Sequence, residues 1–206
     1  MLKQLIAAVS GGIMIAIGGC VFLNTEPRYV GAIFFSVALI AICYTGLGLF
    51  TGRVGFLPDN LSRRELCGLS MTLLGNAIGT FGIGALVARL VPNLQAAAEV
   101  AVTAKLDTGW GTNLLRAVLC GVLMYLAVRI YREKGSPIGI LFCVPAFILA
   151  GFEHSIADMF YLAASGVRSW GGFLFLLLII AGNAVGGMLF PLLARLGAIL
   201  DKKETN

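Results

Sequence analysis

Six stretches of mostly apolar residues alternate with short polar segments along the chain: Leu5 to Leu23, Tyr29 to Phe50, Leu66 to Val91, Leu114 to Ile130, Ile138 to Ala164 and Phe173 to Leu200. A helix crosses the hydrocarbon layer with about 20 apolar residues, so the pattern predicts an all-α membrane protein with six transmembrane helices. No A-x-A-like cleavage site follows a basic start, so the first stretch reads as a retained span, and an even number of spans puts both termini on one side.

Two of the six spans are interrupted. The second carries Gly46-Leu-Gly-Leu-Phe-Thr-Gly52 at one end, where glycines favour a broken helix or a loop. The fifth carries Gly151-Phe-Glu-His-Ser-Ile-Ala-Asp158, four polar side chains in a segment that lies deep in the membrane. Unwound backbone at that depth is tolerated where protein or a water-filled cavity satisfies it, so two such breaks predict a cavity.

The chain also repeats itself. Gly75-Asn76-Ala-Ile-Gly79 in the third span recurs as Gly182-Asn183-Ala-Val-Gly186 in the sixth. With three spans per half, the copies, about 1–91 and 92–206, enter the bilayer from opposite sides and form an inverted repeat with its pathway at the repeat interface. The whole of 1–206 is expected to be one transmembrane domain. Its one long connection, Pro92 to Asn113, is expected to form a short surface helix over Leu94 to Ala104 and then a turn-rich return over Asp107 to Thr112.

Composition agrees: mean hydropathy is +0.94 and only 12% of residues are charged, too few to coat a soluble globule. The net charge of +5 does not signal nucleic acid, because the basic residues are scattered over loops without aromatic interleaving. They fit topology instead. Lys3, Arg53, Arg63, Arg64, Arg129, Arg132, Lys134, Arg195, Lys202 and Lys203 fall on one side, and Arg28, Arg89, Lys105, Arg116 and Arg168 on the other. The richer side, with both termini, is expected in the cytoplasm. Cys20, Cys43, Cys67, Cys120 and Cys143 lie in or beside apolar segments without CxxC spacing, so neither a disulfide framework nor a zinc site is expected.

The ionisable residues of the fifth span carry the candidate chemistry. His154, the only histidine, sits beside Glu153 near the predicted midplane, where an ionisable group is functional by default. It can donate a hydrogen bond to an anion or exchange a proton; the competing reading is a core histidine tying helices together. Glu153 reads as a cap of the broken helix or a partner to a cation. Asp158, four residues past His154, shares its face if the helix has resumed, and can tune it electrostatically. Lys105 is either a plain surface lysine or an anion attractant at a pore mouth. Asn76 and Asn183, each between glycines, read as structural supports whose amides pair with exposed backbone of a neighbouring broken helix.

At Leu49-Phe-Thr-Gly52, Gly75-Asn76, Ala127-Val128 and above all Gly151-Phe-Glu-His-Ser-Ile-Ala-Asp-Met-Phe160, over all six spans, the chain resembles the formate/nitrite transporter family. The resemblance implies an aquaporin-like inverted repeat with broken second and fifth helices, assembled as a homopentamer with one pathway per protomer. It implies that Phe35, Leu39 and Phe147 form hydrophobic constrictions, with Leu49 and Phe50 lining the inner one, that Thr51 faces His154 at the centre, and that Lys105 is the attractant. The expected function is a channel for a small monovalent anion or its weak acid (formate, nitrite or hydrosulfide), proton-coupled through His154, in the inner membrane. Two positions depart from the family: Gly121 replaces an asparagine, removing one polar partner of the central site, and Asp158 stands where asparagine is commoner.

The alternative is an aquaporin-like channel for water or neutral solutes, against which stands the absence of paired Asn-Pro-Ala motifs. A membrane-embedded enzyme would need a metal or an activated nucleophile, and one histidine without a second nitrogen ligand supplies neither. No cofactor or metal is expected.

Overall fold

The computed structural model describes the backbone over residues 1–204 and the side chains over 1–199; the side chains of Lys202 and Lys203, used above for orientation, lie outside the described residues. Nine α-helices follow one another, and no strand occurs among the described residues: α1 (Leu2–Leu23), α2 (Arg28–Thr45), α3 (Phe50–Val54), α4 (Arg63–Leu90), α5 (Pro92–Leu106), α6 (Trp110–Lys134), α7 (Ile138–Leu149), α8 (Ser155–Ser165) and α9 (Trp170–Glu204). A single 3₁₀ turn, Leu57–Asn60, links α3 to α4.

Five of these helices, α1, α2, α4, α6 and most of α9, are long and apolar enough to cross a membrane. The expected fifth span is two shorter helices, α7 and α8, end to end around a non-helical link. Large apolar side chains face outward along the long helices, for example Phe34, Val37, Leu74, Leu86 and Leu177. In water such a surface would drive association; in a bilayer it is the lipid-facing solvent boundary. The expected surface helix Leu94 to Ala104 is α5, but Ala98 and Val102 are buried, so it is docked on the bundle rather than lying free. The expected return over Asp107 to Thr112 is shorter: α6 already begins at Trp110.

The two breaks are built alike. At each, a glycine adopts the left-handed conformation, Gly46 with φ +71° and Gly151 with φ +69°, which side-chain-bearing residues rarely adopt. The next N–H reaches back five residues: Leu47 N–H donates to Ile42 O at 3.0 Å, and Phe152 N–H to Phe147 O at 2.9 Å. The chain then runs extended through Leu49 and through His154 before the short helices α3 and α8 begin.

One asparagine holds each break. Asn76 Nδ2 donates to Ala8 O (2.7 Å) and Gly48 O (2.8 Å), and its Oδ1 accepts from Phe50 N–H (2.8 Å). Asn183 repeats the set, donating to Ala117 O and Glu153 O and accepting from Ser155 N–H, each at 2.8 Å. Both amides are fully buried. Helix ends and extended links leave backbone groups unpaired, and without such a partner each would remain unsatisfied in an apolar interior.

Close helix crossings let the asparagines reach. A Cβ on Gly75 would lie 2.5 Å from the Ala8 side chain of α1, and one on Gly182 would lie 2.5 Å from the Ala117 side chain of α6. Small residues therefore bring α1 against α4 and α6 against α9 nearly backbone to backbone.

Candidate functional site

Two cavities enter the bundle from opposite ends. The first, about 650 Å³, is lined by Phe35, Phe147, Lys105, Glu153, His154 and Asp158, among others. The second, about 670 Å³, is lined by Leu39, Leu49, Gly52, Arg53, Val128 and Arg132, together with the N-terminal turn of α1. Phe35 of α2 faces the first cavity and Leu39, one helical turn on, faces the second. The septum between them is therefore about one turn thick, roughly 6 Å.

The septum is apolar except for one pair. Phe35 and Phe147 meet edge to face with ring centroids 6.5 Å apart, and the His154 ring stacks on Phe147 at 5.6 Å. Leu39, Leu49 and Phe50 are buried to within a few per cent. Among them Thr51 Oγ1 and His154 Nε2 lie 2.9 Å apart, both side chains buried.

The other ring nitrogen fixes how that pair is wired. His154 is the N-cap of α8, and its Nδ1 accepts the Ala157 N–H at 3.1 Å. A backbone N–H only donates, so Nδ1 carries no hydrogen, and in the neutral imidazole the hydrogen sits on Nε2 and points to Thr51 Oγ1. That assignment follows from the hydrogen-bond network. The Thr51 hydroxyl accepts from the histidine and keeps its own O–H free to donate.

Lys105 stands in the last turn of α5, where the Asn113 side chain donates to Lys105 O at 3.0 Å and to Thr108 O just past the helix at 3.2 Å. The ammonium does not project freely into the mouth as an attractant would. It forms a salt bridge with Glu153 and lies 3.0 Å from Asp158 Oδ1. The two carboxyl groups are 2% and 1% exposed, so one ammonium stands between two buried acidic side chains, and one cation neutralises only one carboxylate in the interior.

Gly121 also reads differently in three dimensions. It marks the crossing of α6 with α9, where a Cβ would come within 2.8 Å of Gly187 N and 3.0 Å of the Asn183 carbonyl carbon. Gly12 makes the matching approach in the other half, with a Cβ position 2.9 Å from Asn76 Cα. A side chain at 121 has no room, so the glycine is a close-packing residue and not a vacated ligand position.

Of the residues expected at the site, Phe35, Phe147, His154, Lys105, Glu153 and Asp158 line the first cavity and Leu39 and Leu49 the second. Thr51 bridges to His154; Phe50 lines neither cavity, its N–H tied to Asn76. Sequence reasoning assigned Lys3, Arg53 and Arg132 to topology alone, whereas all three line the second cavity. Among the described residues, no group of His, Cys, Asp or Glu is placed to hold a metal.

Opposed cavities meeting at a thin, buried, mostly apolar septum define a multi-pass helical membrane protein of the channel and transporter class. Residues 1–196 match the profile of the formate/nitrite transporter family. The chain is 30% identical to the uncharacterized transporter YrhG of Bacillus subtilis over 78% of this chain and 68% of that one. It is 29% identical to the nitrite transporter NirC of Escherichia coli over 74% of this chain and 62% of that one. A probable formate transporter of Methanothermobacter thermautotrophicus is 30% identical over 76% of this chain and 69% of that one. Among solved structures, a pentameric formate channel with formate bound superposes with a TM-score of 0.78 at 22% identity, covering 97% of each chain. An ion channel of the same family superposes with a TM-score of 0.82 at 24% identity, over 96% and 90%. The chain belongs to the formate/nitrite transporter family.

Proposed function

We infer that this protein conducts a small monovalent anion, or its conjugate weak acid, through each protomer, between the Lys105 cavity and the Arg132 cavity, past Thr51 and His154. The supporting observation is the septum: two cavities one helical turn apart, with a single hydrogen-bonding pair among aromatic and aliphatic side chains. Formate, nitrite and hydrosulfide match this pathway in size and charge, and the relatives are named for the first two.

An apolar septum penalises a bare ion, so a species that is hydrogen-bonded or protonated there crosses most readily. The free O–H of Thr51 supplies the hydrogen bond, and His154 orients it through Nε2–H. Protonating His154 would displace the Ala157 N–H from Nδ1 and uncap α8, so the ring is a hydrogen-bond donor and not the proton carrier. A weak acid that crosses neutral takes its proton in the cavity, before the septum. This replaces the expectation of coupling through His154 itself.

In this reading the fold is one domain of two inverted halves, 1–91 and 92–206, with α7 and α8 together making the fifth of six crossings. It is a homopentamer in the inner membrane with both termini and the Arg132 cavity in the cytoplasm. It has no enzymatic activity. Stopped-flow uptake of formate, nitrite and hydrosulfide into proteoliposomes tests it: rapid uptake lost in Thr51→Val supports the pathway, whereas water or glycerol flux without anion flux would favour the aquaporin-like alternative.

A further inference from the structure

Arg89 and Arg168, two of the cations that the sequence assigns to topology, line neither pathway cavity. Arg89 stands in the last turn of α4, and Arg168 in the link from α8 to α9, which Gly166 opens with φ +73°. Both line a third cavity of about 690 Å³, walled by α4, the end of α8 and the start of α9. It opens on the outer surface of the bundle, where Phe81, Ala85 and Phe173 of its lining are exposed.

Its lining is sorted by polarity along the helices. Arg89, Arg168, Gln95 and Ser169 lie at or beside helix ends, whereas Phe81 lies two turns back along α4, about 12 Å from Arg89, and Leu176 two turns into α9. No carboxylate lines the cavity, and neither arginine has a carboxylate partner among the described residues. Glu99, one turn beyond Gln95 on α5, lies outside the lining. A second observation sets the depth. Trp170, next to Arg168, is 72% exposed and stacks on Phe173 with ring centroids 5.1 Å apart. An exposed tryptophan at the end of a spanning helix settles at the headgroup level of a bilayer. The arginines therefore stand at headgroup depth and the apolar end at acyl-chain depth.

We propose that this cavity is a binding site for one anionic phospholipid, its phosphate between Arg89 and Arg168 and the first part of one acyl chain along Ala85, Phe81 and Leu176. A basic pocket between spanning helices recognises headgroups by charge, and guanidinium groups match phosphate oxygens in geometry as well. Cation and apolar wall together select the ligand: a free anion leaves the apolar end empty, and a zwitterionic lipid brings its own ammonium against two unpaired arginines. The cavity is of a size to hold a headgroup and part of one chain. The site rests on the chain's place in a membrane and not on which solute the pathway carries.

The test takes the full-length protein in its native oligomer, stripped of lipid in detergent, and reads binding of phosphatidylglycerol and of phosphatidylcholine with the same chains by native mass spectrometry. Phosphatidylglycerol is expected to bind on the order of tenfold tighter; the preference should fall about threefold in Arg89→Gln or Arg168→Gln, vanish in the double variant and persist in Arg28→Gln. Ala85→Trp, which fills the apolar end and keeps both arginines, is expected to weaken phosphatidylglycerol by about as much as losing one arginine, and millimolar inorganic phosphate is expected not to displace the lipid. Phosphatidylglycerol should also raise the unfolding temperature of the unmodified protein and leave that of the double variant where it is. Equal affinity for the two lipids, or a preference that the double variant retains, overturns the proposal. Displacement by inorganic phosphate, or indifference to Ala85→Trp, overturns it in favour of a simple anion site. An oligomer that falls apart in the double variant while lipid binding is unchanged overturns it in favour of a contact between copies of this chain.

Discussion

Thr51 in α3 and His154 at the N-cap of α8 meet across the septum at 2.9 Å, with the histidine's second nitrogen occupied by Ala157 N–H. The direction of the hydrogen bond is thereby set: histidine donates and threonine accepts, which frees the threonine O–H. Thr51→Val keeps the shape and removes both the acceptor and the free donor. Anion uptake by stopped flow is expected to fall more than tenfold, with stability lowered by about 1–3 kcal/mol because Nε2–H is left unpaired in the interior. Thr51→Ser is expected to restore most of the flux; a Val variant that conducts as well as the original would remove the hydroxyl from the pathway.

The same geometry separates two jobs of His154. Asparagine is a favourable N-cap and can accept from Ala157 N–H, but its side chain is too short to reach Thr51 as well. His154→Asn is therefore expected to keep the thermal stability within about 1 kcal/mol while losing uptake, and His154→Leu to lose uptake and about 1 kcal/mol of helix capping besides. Equal stability of the two variants would show that the cap contributes nothing.

Much of this arrangement is visible in the amino-acid sequence, because the features that make it are local. Apolar runs mark the long helices, the glycines at Gly46 and Gly151 mark the ends of α2 and α7, and the two Gly-Asn pairs mark the amides that hold the links that follow. What is not visible depends on distant helices meeting. Lys105 reads as a loop lysine until α5 docks on α8 and brings it to Glu153 and Asp158. Gly121 reads as a lost asparagine until α6 is seen to cross α9 there. Arg132 reads as a topology signal because nothing local says that α6 ends beside Leu49 and the start of α1.

The buried amides of Asn76 and Asn183 each make three hydrogen bonds to matching backbone groups. Alanine at either position leaves several backbone groups without partners, so each variant is expected to lose about 2–4 kcal/mol, read from thermal unfolding in detergent. The losses should be similar. A large loss at one position and none at the other would mean that the matched geometry does not carry matched energy.

At Gly121 the smallest possible side chain already meets the backbone of α9, at Gly187 N and the Asn183 carbonyl carbon. Gly121→Ala is expected to destabilise by about 1–3 kcal/mol through overpacking, and the family's asparagine to do more harm, lowering the yield of folded protein. A Gly121→Asn variant that folds and gains flux would reinstate the view of this position as a missing polar partner.

Asp158 gives the first cavity its second buried carboxylate, and its effect on Lys105 can be isolated because asparagine has nearly the same shape. In Asp158→Asn the lysine retains Glu153 and, at a pH where the aspartate is ionised, the cavity gains a positive charge. Entry of formate from that side at low ionic strength is then expected to reach half-saturation at an on the order of two- to threefold lower concentration, an effect that salt should erase. Lys105→Met acts in the opposite sense, leaving two buried carboxylates facing each other without a cation. Removing one partner of a buried ion pair destabilises by about 3–5 kcal/mol, so this variant is expected to unfold at markedly lower temperature, and Lys105→Met combined with Asp158→Asn to recover part of the loss. No recovery in the double variant would show that the aspartate is not what the lysine compensates.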